Sequence, residues 1–224
     1  MSGKAFFIDT TKCTACRGCQ VACKQWNMLP GEKTKNVGSY QNPQDLSGMT
    51  YKLVRFSETD TKEGVHWAFF PDGCRHCVEA PCKLEADDTL PGAIKQCAET
   101  GAVIYTSKTK DLDFQAIKDA CPYNIPRKNK KSGEIVKCTM CYERQAEGML
   151  PACVKTCPTG TMNFGELDKM QALAKKALAE AKKKYPQASL ASDDTRAIYL
   201  LKYAPKEYHE YVMNSKNTSN SAIV

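Results

Sequence analysis

The chain has 224 residues, 42% hydrophobic and only 8% aromatic, with 13 cysteines and a formal charge of +7. That length bounds it to one or two domains, and so few aromatics are thin for a side-chain core, so bound inorganic groups are expected to supply part of the interior. An odd number of cysteines at short spacings excludes a disulfide framework, and no apolar run is long enough to span a bilayer.

In chain order, residues 1–9 hold an apolar stretch too short for a signal peptide, so export would need help. Residues 4–9 read as a short strand. It feeds Cys13-Thr-Ala-Cys16-Arg-Gly-Cys19-Gln-Val-Ala-Cys23, spaced C-x-x-C-x-x-C-x-x-x-C. Residues 20–26 read as a helical turn or two. Residues 27–50, rich in Gly, Pro, Asn and Ser, form a long loop, expected as a partner-contacting excursion. Residues 51–56 and 65–70 look like paired strands leading to Cys74-Arg-His-Cys77-Val-Glu-Ala-Pro-Cys82. Short strands at 101–105, 134–136 and 161–164 flank the later cysteine loops, which are Cys121-Pro122, Cys138-Thr-Met-Cys141 and Cys153-Val-Lys-Thr-Cys157-Pro158.

From residue 166 to 185 the pattern turns helical. Leu167, Met170, Leu173, Ala174, Ala177, Leu178, Ala181 and Tyr185 share a face, and Pro186 stops the run. A last strand is expected at 196–203, and a flexible tail or arm from Asn214.

The spacing at each end of the chain is the iron–sulfur pattern in which the fourth cysteine of one run ligates the other run's cluster. Cys13, Cys16, Cys19 and Cys157 should therefore hold one cluster, and Cys23, Cys138, Cys141 and Cys153 a second. A third begins with Cys74, Cys77 and Cys82; its fourth ligand is Cys121 or Cys97. Cys121 is followed by proline, as Cys157 is, and is the expected choice. Counting back from Cys121 by the same spacing reaches Ile117, Phe114 and Asp111, as though a fourth cluster had been lost. Cys97 would have served that lost cluster and is expected not to be a ligand.

The expected fold is α+β: two ferredoxin-like halves with short strands, cluster loops, long loop insertions and a C-terminal helix. Residues 1–50 with 132–165 would hold two 4Fe–4S clusters, 51–131 one, and 166–224 the C-terminal helix, strand and tail.

Three such clusters with their thiolates contribute about −6, leaving the loaded chain at about +1 rather than +7. That argues against nucleic acid as partner. Lys12, Arg17, Lys24, Arg75, Lys83, Arg127, Lys137 and Lys155 beside the ligands read as compensation for the buried negative charge. A zinc scaffold or nucleic-acid module is the alternative of another class, but four-cysteine zinc sites use two separated C-x-x-C knuckles, unlike Cys13 to Cys23. His66, His76 and His209 offer no Rieske set, and Trp26 and Tyr123 read as cluster shielding. No dinucleotide fingerprint, P-loop or nucleophile elbow occurs. The chain reads as an electron conductor, not an enzyme on its own.

These motifs, with Lys24-Gln-Trp-Asn27, Ala120-Cys-Pro-Tyr-Asn-Ile-Pro126 and Pro151-Ala-Cys-Val-Lys-Thr-Cys-Pro-Thr-Gly160, resemble the iron–sulfur subunits of molybdopterin oxidoreductases. The likeness is greatest to the beta subunits of periplasmic tungsten or molybdenum formate dehydrogenases. The resemblance implies a large catalytic alpha subunit with a tungsten or molybdenum bis-pterin centre interconverting formate and carbon dioxide. It also implies a c-type cytochrome or similar acceptor, and no transmembrane segment in this chain. A periplasmic location follows, reached by folded export with a signal-bearing partner, with the cytoplasm as the alternative. The iron–sulfur subunit of a nitrate, dimethyl sulfoxide, thiosulfate or polysulfide reductase is the second reading within the family.

Overall fold

The computed structural model describes residues 3–62, 64–192 and 194–213; the expected tail from Asn214 lies outside the described residues. Strand β1 (Lys4–Asp9) leads into helix α1 (Gly18–Trp26). After the long loop come β2 (Leu53–Thr61) and β3 (Gly64–Asp72), α2 (Pro81–Thr89), β4 (Ile94–Gln96), β5 (Val103–Tyr105) and α3 (Phe114–Ala120). Next are β6 (Arg127–Lys128), β7 (Ile135–Val136), α4 (Tyr142–Ala146), α5 (Ala152–Lys155) and β8 (Met162–Glu166). The chain closes with α6 (Leu167–Lys184), β9 (Ser189–Ala191) and β10 (Ala197–Leu201).

The frame is a four-stranded sheet in the order β8-β1-β10-β9. β1 pairs parallel with β10 and antiparallel with β8, so both ends of the chain meet in one sheet. Segment 166–213 is therefore woven into the N-terminal strand rather than standing apart.

Side chains alternate across this sheet with period two, and each face has its own work. Ala5, Phe7, Ile198 and Leu200 pack with Leu167 and Ala174 under α6. Phe6, Ile8, Ala197 and Tyr199 face the opposite way, into a cluster that includes Cys19 and Cys153. At roughly 1.5–3 kcal/mol for each large side chain fully buried, both faces hold the sheet in place.

The remaining strands form small antiparallel pairs: β2 with β3, β4 with β5, and β6 with β7. The β2–β3 hairpin is longer than its apolar run implies, extending from Leu53↔Asp72 to Thr61↔Gly64. Its root is buried at Leu53, Val54 and Phe70, and Phe56 and Phe69 pair across the strands with ring centroids 5.1 Å apart. The loop between α1 and β2 is strapped to α1: Lys24 Nζ donates to the Met49 carbonyl (2.6 Å) and Gln20 Nε2 to that of Asn42 (2.9 Å).

Helices α2 and α3 carry no strong sequence signal. α2 starts with proline at its first turn, where the missing N–H costs nothing, and turns Cys82 and Ala86 inward four residues apart. Asp113 caps α3 by accepting the Gln115 N–H. Ala86, Ile94, Val103, Leu112, Ile117 and Ile135 form one apolar cluster, with Phe114 packed against it. Of the three positions that the spacing from Cys121 reaches back to, Ile117 and Phe114 are thus packed hydrocarbon and Asp111 is exposed. Among the described residues no helix is long and apolar enough to cross a membrane.

Candidate cluster-binding cages

Three cavities each hold one of the expected sets of four cysteines in their walls. The first has Cys13, Cys16, Cys19 and Cys157 in its wall, and the middle one Cys23, Cys138, Cys141 and Cys153. The third has Cys74, Cys77, Cys82 and Cys121. The geometry brings together all twelve cysteines in the sets read from the spacing.

Helical periodicity produces the crossed arrangement. Cys19 and Cys23 stand one turn apart on α1, and Cys153 and Cys157 are likewise four residues apart at α5. Cys19 and Cys157, which lies two residues past the end of α5, face the first cavity, and Cys23 and Cys153 the middle one, so α1 and α5 are clasped across two sites. Cys74 also lines the middle cavity, which makes the third cage a direct neighbour of the middle one. The cages stand in the order first, middle, third.

One backbone turn recurs in all three cages. His76 N–H donates to Cys74 Sγ and Met140 N–H to Cys138 Sγ, each at 3.4 Å, and the Ala15 N–H supports the Cys13 thiolate in the same way. The residues donating these bonds all have positive φ: 53° at Ala15, 48° at His76 and 62° at Met140. A non-glycine residue in this region costs roughly 1–2 kcal/mol. That strain aims an N–H at sulfur, a placement that stabilises a thiolate.

The donor set calls for a cationic core. Burial pushes the Cys13 and Cys138 thiols up to about 11 and the Cys121 thiol to about 12, and neighbouring cysteines add to each rise. Burial likewise raises Cys77 and Cys153. Four thiolates crowded into such a cavity need positive charge among them, which a 4Fe–4S core of about +2 provides. Among the described residues no three His, Cys, Asp or Glu side chains converge closely enough for a single metal ion. The thiols instead stand around a volume, which suits a multi-atom core better than zinc.

Cys97 is elsewhere. It lines none of these cavities and packs at the edge of the Phe6–Tyr199 cluster. The Thr100 hydroxyl, helped by the Thr100 and Glu99 N–H groups, holds its thiol below the ordinary value. The C-x-x-x-C spacing from Cys82 falls on Ala86, and it is Ala86 that shares an apolar cluster with Ile117.

His76 is a fully buried residue whose Nδ1 accepts the Val103 N–H at 3.1 Å. Tyr123 lines the third cavity, and Trp26 lies half-exposed under the Arg144 guanidinium at 4.3 Å.

Sequence reasoning missed Lys52, whose side chain lines the middle cavity. The only signal was a lysine at the buried root of the strand pattern over residues 51–56. It also missed Asp72, which sits between Arg55 and Arg75 at 2.7 and 2.8 Å.

Comparison with known proteins bears on these cages. A family model described as a 4Fe-4S dicluster domain matches residues 65–167. Formate dehydrogenase subunit beta of Megalodesulfovibrio gigas is 51% identical over 212 residues, 94% of this chain and 99% of that one. Formate dehydrogenase 2 subunit beta (cytochrome c-553) of Nitratidesulfovibrio vulgaris is 54% identical over 213 residues, 93% and 97% of the two chains. The formate dehydrogenase-O iron-sulfur subunit of Escherichia coli is 37% identical over 220 residues, 92% of this chain and 69% of that one.

Proposed function

Because this chain belongs to the iron–sulfur beta subunits of formate dehydrogenase, non-catalytic electron-transfer subunits of an oxidoreductase complex, we propose that it carries three 4Fe–4S clusters, one in each cage. When bound, such clusters supply one-electron centres whose potentials follow net charge, hydrogen bonds to sulfur and exposure to water. The observation that carries this reading is the row of three cavities, each walled by a set of four cysteines, with Cys74 reaching from the third into the middle one. The chain's own part is to hold the three sites at fixed separations and to keep water from the middle one.

The catalytic partner is a large alpha subunit with a tungsten or molybdenum bis-pterin centre that interconverts formate and carbon dioxide. It docks at the first cage, where Cys16 is the one exposed cysteine of the set. Electrons leave from the third cage toward a c-type cytochrome, in line with the cytochrome c-553 in the name of the relative from N. vulgaris. The complex works in the periplasm, exported folded with a signal-bearing partner.

Anaerobic purification from the native host tests the whole reading. The expected result is a brown complex with a large pterin-containing subunit and about twelve irons on this chain. Cys121→Ser should lower that to about eight, and Cys97→Ser should leave it unchanged. Colourless, zinc-loaded protein would overturn the cluster reading, and a large partner that reduces nitrate or dimethyl sulfoxide would overturn the formate assignment.

A further inference from the structure

The two walls that separate the three cages each contain a buried ammonium group. Lys52 is 6% exposed and lines the middle cavity, and its Nζ donates to the Pro71 carbonyl at 2.6 Å. Pro71 in turn lines the first cavity. Lys137 is 5% exposed and lines the third cavity. Its Nζ donates to the carbonyl of Cys138, a middle-cage residue, at 3.0 Å, and to that of Val103 at 2.6 Å.

Among the described residues, neither ammonium has a carboxylate within ion-pair distance; the ion pairs use other cations. A buried cation without a counter-charge is costly, so its counter-charge must lie within reach. The thiolate cages on either side provide it. Burial works against the charge on Lys52, yet Tyr199 and the thiols of Cys153, Cys19 and Cys138 outweigh that and raise its pKa. Lys137 acts from the other wall, favouring the thiolates of Cys82 and Cys138. Arg75 is the contrast. It lines the third cavity and is as deeply buried, but Asp72 neutralises it at 2.8 Å.

We propose that Lys52 and Lys137 are positioning residues for charge: Lys52 raises the reduction potentials of the first and middle clusters, and Lys137 those of the middle and third. This rests on the reading of the cages as 4Fe–4S sites. An oxidised cluster with its four thiolates carries about −2, and one added electron makes it about −3. That electron comes from formate, which yields two electrons, a proton and carbon dioxide in the catalytic partner and passes the electrons on singly. No proton need move in this chain, because the fixed ammonium offsets each added charge. The middle cage, touched by both lysines, gains most relative to a lysine-free chain.

The test is a paramagnetic-resonance redox titration of the whole complex under anaerobic conditions, with signals assigned to cages through Cys16→Ser, Cys141→Ser and Cys77→Ser. Lys52→Met should lower the potentials of the first and middle clusters and leave the third unmoved; Lys137→Met should lower the middle and third and spare the first. The expected size is at least a tenfold loss in each reduction equilibrium constant, which for a one-electron couple is about 59 mV. Lys52→Arg, which keeps the charge, should restore the potentials, and Lys52→Gln serves in place of Met should that variant lose iron. Full iron with unmoved potentials, or an equal shift in all three clusters, would overturn the role of the lysines alone. Absence of any cubane signal in the unmodified complex would instead overturn the reading of the cages.

Discussion

Asp72 holds together the polar ground beneath the cages. It is fully buried and accepts Arg55 Nε at 2.7 Å and Arg75 Nη1 at 2.8 Å. Arg75 stands over the rings of Tyr199, Phe70 and Tyr123 at 4.7, 5.0 and 5.0 Å. Burial disfavours the carboxylate, but Arg75, His209 and Arg55 more than offset it and hold this carboxyl well below the usual range. A depressed carboxyl contributes fully above its unfolded value of about 4, and loses that contribution as pH falls through the lower folded value. Asp72→Asn keeps the shape and strands Arg75, at an expected cost of about 3–5 kcal/mol. Anaerobic denaturant unfolding measures it; a cost below about 1 kcal/mol would mean that the surrounding rings suffice for Arg75. Cysteine spacing carried the twelve cage thiols because a cubane loop is local in sequence. Lys52 and Asp72 were not legible, since what they touch lies across a strand pair or in another cage.

Elements were legible where their apolar pattern was plain. β1 and β10 are apolar runs buried almost throughout and α6 repeats over eighteen residues, and each lies within a residue or two of its expected limits. α2 and α3 span nine and seven residues, too short for a helical stripe to outweigh their polar composition. The segment that follows β10 was equally silent, yet it closes the cage side of the molecule. There Tyr208 and Val212 join the Phe6–Tyr199 cluster, and His209 meets Phe70 edge-on with centroids 4.8 Å apart. Burial pushes the His209 imidazole down to about 4, with Asp72 pulling it up and Arg75 and Arg55 pushing it further down. The unfolded chain therefore takes up this proton first. Stability from this packing is complete above about pH 6.5 and declines as pH falls from there toward 4. Unfolding midpoints at about pH 7 and 5 should show a loss in the parent that His209→Gln largely removes. An equal loss in both proteins would place the pH sensitivity in other groups.

At the scale of the molecule, the sheet, the cages and the chain ends form one interlocked unit. The crossing of cysteines from the two end runs into two shared cavities follows their matching Cys-x-x-x-Cys spacing. The linear order of the cages was not legible in the sequence, because it depends on Cys74 lining two cavities at once. That order predicts which site fails first. In the middle cage Cys23, Cys141 and Cys153 are buried, and Phe6, Ile8, Ala197 and Tyr199 of the sheet wall it off. The first cage has Cys16 exposed, and oxidants reach exposed cluster corners sooner than buried ones. Limited oxygen applied to the isolated chain should therefore release about four irons from the first cage before the middle cage loses any. The middle cage would still clasp α1 to α5 through Cys23 and Cys153, so the secondary structure should survive this first loss. With the catalytic subunit bound over Cys16, the first release should slow at least tenfold. Iron release followed alongside the paramagnetic signals reads both effects. Loss beginning at the middle cage, or a rate indifferent to the catalytic subunit, would mean that this end of the row is not where that subunit docks.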